Sequence, residues 1–221
     1  MITLTGNRAA AKSGDTKSLV ILLHGYGADG NDLFGLAGPL SEHMPDTAFR
    51  APDAPQRNTM NPMGYQWFPI PWIDGSTEEQ RDQGFAEAVD ALNRYIDTSM
   101  EEEGVTASQT ALIGFSQGTM MSLYVGPRRT DSIAAIVGFS GRLIPGDDLA
   151  GEAVSKPPVL LIHGDMDEMI NVSEMSEAET ALRAAGFDVS SHISRGIGHG
   201  IAPDGLTLGL HFLMKHLGYE L

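Results

Sequence analysis

Gly114-Phe115-Ser116-Gln117-Gly118 sets a serine between two glycines at G-x-S-x-G spacing. The apolar run Ala111-Leu112-Ile113 precedes it, and a helical stretch from Thr119 to Val125 follows. A serine nucleophile has to stand out from a sharp strand-to-helix turn on a strained backbone, and small residues two positions to either side let the chain turn that tightly. The N-terminus of the following helix favours negative charge developing nearby. This pattern points to acyl transfer through Ser116. It needs a base to take the serine proton and an acid to orient the base.

On an α/β sheet these partners follow in the order Ser, then Asp or Glu, then His. His163-Gly164-Asp165-Met166-Asp167-Glu168 begins where the apolar run Val159–His163 ends, and both Asp165 and Asp167 are candidates for the acid. His199 lies in Gly196-Ile197-Gly198-His199-Gly200, a glycine-framed loop that can present a base. The other histidines fit less well. His24 and His163 end apolar runs before glycines, His211 and His216 fall in a helical stretch, and His43 and His192 have no such loop around them.

Acyl transfer also needs donors for the oxyanion. The backbone N–H after the nucleophile, that of Gln117, is one. The early loop His24-Gly25-Tyr26-Gly27 offers the Tyr26 N–H as the other. This loop supports a rival reading. Gly25-Tyr26-Gly27-Ala28-Asp29-Gly30 is literally G-x-G-x-x-G, and Asp53 stands past the next strand-like stretch, where a nicotinamide-dependent oxidoreductase would place its ribose-binding acid. That reading leaves Ser116, His199 and the aspartates unused, whereas the hydrolase reading gives each a role. A non-catalytic binding module on the same fold is a third reading.

These residues have to be positioned by a scaffold. Ser18–His24, Thr110–Phe115, Ile133–Phe139 and Val159–His163 are near-continuous apolar runs, the pattern of strands buried on both faces. Helical faces lie between them: Leu33, Leu36, Ala37 and Leu40; Phe85, Val89, Leu92, Ile96 and Met100, ending near Gly104; Met175, Ala178, Leu182 and Ala185 before Gly186; and Leu206, Leu210, Leu213 and Leu217. This alternation predicts an α/β fold with a mostly parallel central sheet and helices on both faces, in a single domain over residues 1–221. Gln56–Gly75 departs from the rhythm, with no clear helix or strand. Tyr65, Trp67, Phe68 and Trp72 put four of the fifteen aromatics into eight residues there. The expectation is an apolar wall of a substrate cleft, carried by Met63, Trp67, Phe68 and Trp72.

Composition narrows the function. Hydrophobic residues make up 42% of the 221 positions, enough for a full core. With 29 acidic against 14 basic residues the net charge is −15, which disfavours nucleic acid and anionic membrane surfaces as partners. The absence of cysteine excludes thiolate zinc sites and a cysteine nucleophile. No histidine spacing suggests a metal site. The N-terminal residues lack a signal-peptide pattern, and no apolar run approaches a membrane span, so a cytoplasmic location is expected.

As a set, Leu23-His24-Gly25-Tyr26-Gly27, Ala51-Pro52-Asp53-Ala54-Pro55, Trp67-Phe68, Gly114-Phe115-Ser116-Gln117-Gly118, His163-Gly164-Asp165-x-Asp167 and Gly198-His199 resemble the carboxylesterase/phospholipase family of α/β hydrolases, which includes acyl-protein thioesterases and small bacterial esterases. The resemblance implies an α/β-hydrolase fold and a catalytic triad of Ser116, His199 and, of the two aspartates, Asp167. It implies Tyr26 and Gln117 as oxyanion donors, with Tyr26 larger than the usual leucine. It further implies an ester substrate of short to medium acyl chain, with thioesterase or lysophospholipase action as the alternative, no metal or cofactor, and a possible homodimer.

Overall fold

The computed structural model describes residues 2–220. In chain order its strands are β1 (Gly6–Ala9), β2 (Ser18–Leu23), β3 (Thr47–Pro52), β4 (Gln56–Arg57), β5 (Tyr65–Gln66), β6 (Thr110–Phe115), β7 (Ala135–Phe139), β8 (Val159–Gly164) and β9 (Val189–Ser194). Its α-helices are α1 (Gly30–Phe34), α2 (Ala37–His43), α3 (Pro71–Asp74), α4 (Glu78–Glu103), α5 (Gln117–Val125), α6 (Leu149–Glu152), α7 (Val172–Ala184) and α8 (Pro203–His216).

The apolar runs become strands because both their faces are covered. The described residues form a seven-stranded sheet in the order β1-β3-β2-β6-β7-β8-β9. Its pairings are parallel except for β1 on β3. Side chains alternate across it. Leu19, Ile21 and Leu23 of β2 pack on one face with Leu92 and Ile96 of α4 and Met175 and Leu182 of α7. Val20 and Leu22 pack on the other with Leu33 of α1, Leu40 of α2 and Leu213 of α8. This is the α/β-hydrolase arrangement, with helices on both faces.

Three expectations are corrected. The face shared by Leu33, Leu36, Ala37 and Leu40 is not one helix; the chain breaks at Gly35 and Leu36 between α1 and α2. Helix α4 starts well before Phe85, because the Thr77 hydroxyl accepts the Gln80 N–H while the Gln80 side chain accepts the Thr77 N–H, a reciprocal cap. Gln56–Gly75 does contain regular structure: β4 and β5 pair antiparallel, and α3 follows, with Pro71 at its start and left-handed Gly75 after it.

Parallel strands end together. Leu23 stands opposite Gly114, and Phe115 opposite Phe139, so the loops after β2, β6, β7, β8 and β9 all emerge at one edge of the sheet. In open α/β sheets, that edge is where ligands bind.

Candidate active site

Ser116 sits between β6 and α5 with φ 53° and ψ −114°, a conformation that costs a non-glycine residue energy and that surrounding structure has to enforce. Its N–H is held by the Phe139 carbonyl at 2.9 Å. The two motif glycines are required by close approach. A Cβ on Gly118 would lie 1.9 Å from the Leu23 carbonyl oxygen, and one on Gly114 would lie 2.4 Å from the Thr119 nitrogen. The turn is therefore clamped between β2 and its own helix, with the serine facing outward.

The loop after β2 comes up beside it. A Cβ on Gly25 would be 3.3 Å from Ser116 Cβ. His24 is buried with its tautomer fixed, Nδ1–H donating to the Gly25 carbonyl at 2.8 Å and Nε2 accepting the Ala54 N–H at 2.9 Å. Burial holds its pKa below the ordinary histidine value. Tyr26 lines the cleft beside Ser116, and its hydroxyl donates to Asp74 at 3.0 Å, tying the loop to α3. Burial, reinforced by Asp74, holds the Tyr26 phenol above its ordinary value. Gln117 is the first residue of α5, so its N–H has no acceptor within the helix. Its buried side chain binds the Trp67–Phe68 segment.

Asp165 and Asp167 leave β8 in one turn, and the structure gives them different partners. Asp167 Oδ2 lies 2.7 Å from His199 Nδ1. Asp167 Oδ1 accepts the Met169 and Ile170 N–H groups, each at 2.9 Å. Asp165 Oδ1 instead accepts the Gly196 N–H at 2.6 Å, and the Met166 N–H bonds the Ile197 carbonyl at 2.9 Å, so the turn latches the His199 loop onto the acid. Burial pushes the Asp167 carboxyl up, but the Ile170 N–H, His199 and the Met169 N–H outweigh it and hold the group below the ordinary aspartate value.

A second side chain on this acid is missed by sequence reasoning. His163 is buried, with Nε2 2.8 Å from the Ile170 carbonyl and 3.2 Å from Asp167 Oδ2. Its signal is legible: it stands four residues before Asp167 at the same strand end.

Ser116 and His199 line one cleft of about 410 Å³, together with Tyr26, Ile70, Trp72 and Arg142. A second cavity of about 290 Å³ adjoins it across Ile70, Trp72 and Arg142, and is walled by Phe68, Phe85, Met120, Tyr124 and Ile144 among others. Of the expected apolar wall, Phe68 and Trp72 line a cavity. Trp67 and Met63 are corrections. Trp67 is fully buried in the core, its indole N–H donating to the His24 carbonyl at 3.0 Å. Met63 is 81% exposed at the outer end of its loop and lines neither cavity. Aromatic and apolar composition alone does not distinguish core from cleft.

The dinucleotide alternative loses its acid. Asp53 Oδ1 accepts the Gly30 N–H at 2.9 Å, at the start of α1.

Comparison with known proteins identifies the family. A family model described as phospholipase/carboxylesterase matches residues 5–217. The chain belongs to that family. Esterase YpfH of Escherichia coli is 29% identical over 208 residues, covering 93% of this chain and 84% of that protein. An acyl-protein thioesterase 1 of Gibberella zeae is 28% identical over 214 residues, covering 90% of each. The crystal structure of esterase PE8 superposes with a TM-score of 0.92 at 42% identity, covering 98% of this chain and all of that one. The protein is therefore a serine hydrolase of the esterase and thioesterase type. Among the described residues, no helix is long and apolar enough to cross a membrane, and no three His, Asp or Glu side chains are grouped to hold a metal ion.

Proposed function

We propose that Ser116, His199 and Asp167 form the catalytic triad of a carboxylesterase, with Tyr26 and Gln117 N–H groups as oxyanion donors. The observation that carries this reading is the 2.7 Å contact between His199 Nδ1 and a buried carboxylate, on a histidine that shares its cleft with the strained serine.

Asp167 fixes the tautomer in which Nδ1 carries hydrogen, which leaves His199 Nε2 free to accept. Ser116 Oγ attacks the ester carbonyl as its proton passes to Nε2. The oxygen that gains charge lies against the Tyr26 and Gln117 N–H groups, at the N-terminus of α5. His199 returns the proton to the leaving alcohol, giving an acyl-Ser116 ester. Water then attacks this ester with His199 again as base, and Ser116 leaves with its proton restored. Phe68 and Trp72 give the acyl group an apolar boundary.

Thioester cleavage is the second reading, favoured by the relatives named acyl-protein thioesterases, because the same acyl-enzyme serves a thiol leaving group. A fluorophosphonate probe followed by peptide mapping tests the triad: the adduct is expected on Ser116 and absent in Ser116→Ala. Labelling elsewhere overturns the reading. A panel of p-nitrophenyl esters, acyl-thioesters and lysolipids then ranks the substrate classes.

A further inference from the structure

Arg142 is the one Lys or Arg among the described residues lining the cleft that holds Ser116 and His199, and it also lines the adjoining cavity. It stands in the partition between the two, alongside Ile70 and Trp72, with its guanidinium carbon 5.9 Å from the Trp72 ring centre. Its place is set by the fold beside the nucleophile. Ser140 has φ 46°, and it and Ser116 are the two non-glycine residues of positive φ among the described residues. The strained turn at Ser140 leads the chain off β7 into Gly141, where a Cβ would lie 2.9 Å from the Ser116 carbonyl oxygen. Arg142 follows directly. Strain of this kind persists where surrounding structure enforces it, and it clusters at binding sites.

The guanidinium is under-used. Its Nη1 donates to Glu174 at 3.2 Å, and its Nε is buried with no hydrogen-bond partner among the described residues. Arg129 shares the buried, unpartnered Nε, but its two terminal nitrogens take Asn93 and Asp97, and other arginines are likewise more fully engaged. Arg8 takes Glu103 with two nitrogens, at 2.7 and 2.8 Å. Arg50 takes both Glu102 and Glu103, each at 2.6 Å. Arg128 takes both Asp147 and Glu152. A neutral acyl chain gains nothing from a half-satisfied cation in its path, since an apolar side chain there would cost less desolvation. A planar fork with free donors beside a reactive serine suits a carboxylate. Glu174 is 34% exposed and also lines the cleft, so it can give up the guanidinium when another carboxylate arrives.

We infer that Arg142 is a specificity-determining residue and that the preferred esters carry a carboxylate close to the scissile bond, paired with Arg142 in exchange for Glu174. This rests on the proposed triad. The carboxylate could be on the acyl side, as in a half-ester of a dicarboxylic acid, or on the alcohol side, as in an acyl glycolate.

The test compares kcat/KM for three esters of matched length in a pH-stat: monomethyl glutarate, butyryl glycolate and neutral methyl hexanoate. The wild-type enzyme is expected to favour one of the anionic esters over the neutral one, and that arm identifies the side. Arg142→Gln should lower the anionic-to-neutral ratio by about ten- to a hundredfold, the range for a hydrogen bond to a charged group. Arg142→Lys should fall between the two. Glu174→Gln should raise the ratio by removing the competing carboxylate, and this variant keeps the test alive if Arg142→Gln does not fold. A wild-type preference for the neutral ester over both anionic ones, or a ratio indifferent to these substitutions, overturns the inference. If the neutral ester is still hydrolysed and Ser116 still labelled in that case, the triad reading stands and Arg142 alone is misassigned.

Discussion

The Gln117 side chain accepts the Trp67 N–H at 2.8 Å, and the same amide donates to the Phe68 carbonyl at 2.8 Å. The residue after Ser116 thus holds, by its side chain, the segment bordering the apolar cavity, while its backbone N–H is the proposed oxyanion donor. Gln117→Leu keeps that N–H but strands two buried backbone groups. It should lower unfolding free energy by about 2–4 kcal/mol in urea titration. It should lower kcat far less than loss of the proposed triad acid, Asp167, does.

For that acid the expected ranking is steep. Asp167→Asn should lower kcat by about four orders of magnitude, because it favours the wrong His199 tautomer. Asp165→Asn removes only the anchor on Gly196 and should cost much less. Steady-state kinetics on both variants decides the matter, and the reverse order would assign the acid to Asp165.

Trp67 and Trp72 should behave differently although they are five residues apart. Trp67→Ala removes a fully buried side chain and should destabilise the protein by about 3–5 kcal/mol. Trp72 is 72% exposed at the boundary of both cavities, so Trp72→Ala should leave the melting temperature nearly unchanged and shift the acyl-chain-length profile. Thermal melts and esters of two to twelve acyl carbons measure the two effects.

Acid stability should depend on Glu103. Burial pushes this carboxyl up, but hydrogen bonds from Arg8 and Arg50 overcome it and hold the group below its ordinary value. A depressed folded pKa stabilises the fold above the unfolded value of about 4.3, and that contribution is lost as pH falls through the folded one. Melting temperature should therefore drop on acidification below about pH 4. Glu103→Gln should flatten that slope and lower stability at neutral pH, where Arg50 loses its buried counter-charge.

The central strands are legible from sequence because parallel strands are apolar on both faces, as in Ser18–Leu23. β1 is not, since Gly6–Ala9 is an edge strand of alternating exposure with no apolar run to mark it. Ser116 and His199 are legible through their flanking glycines. The pattern around Asp165 and Asp167 offers two carboxylates at one strand end, and the difference between them lies in partners more than thirty positions away on the β9 loop. His163 and Arg142 are missed for a related reason. Each matters through where a strand end delivers it; His163 carries a cue in its four-residue spacing to Asp167, and Arg142 carries none. Trp67 is misread because an aromatic cluster is equally consistent with a core and with a cleft.

Ser116 and His199 depend on parts of the sheet that differ in security. Ser116 follows β6, flanked on both sides by neighbours, whereas His199 follows β9, an outer strand paired with β8 alone. Outer strands open before a protein unfolds as a whole. Fraying of β9 would carry the base away from an intact nucleophile. On heating, turnover should thus fade while most of the secondary structure persists, making catalysis an early report on the rim of the sheet rather than on its centre.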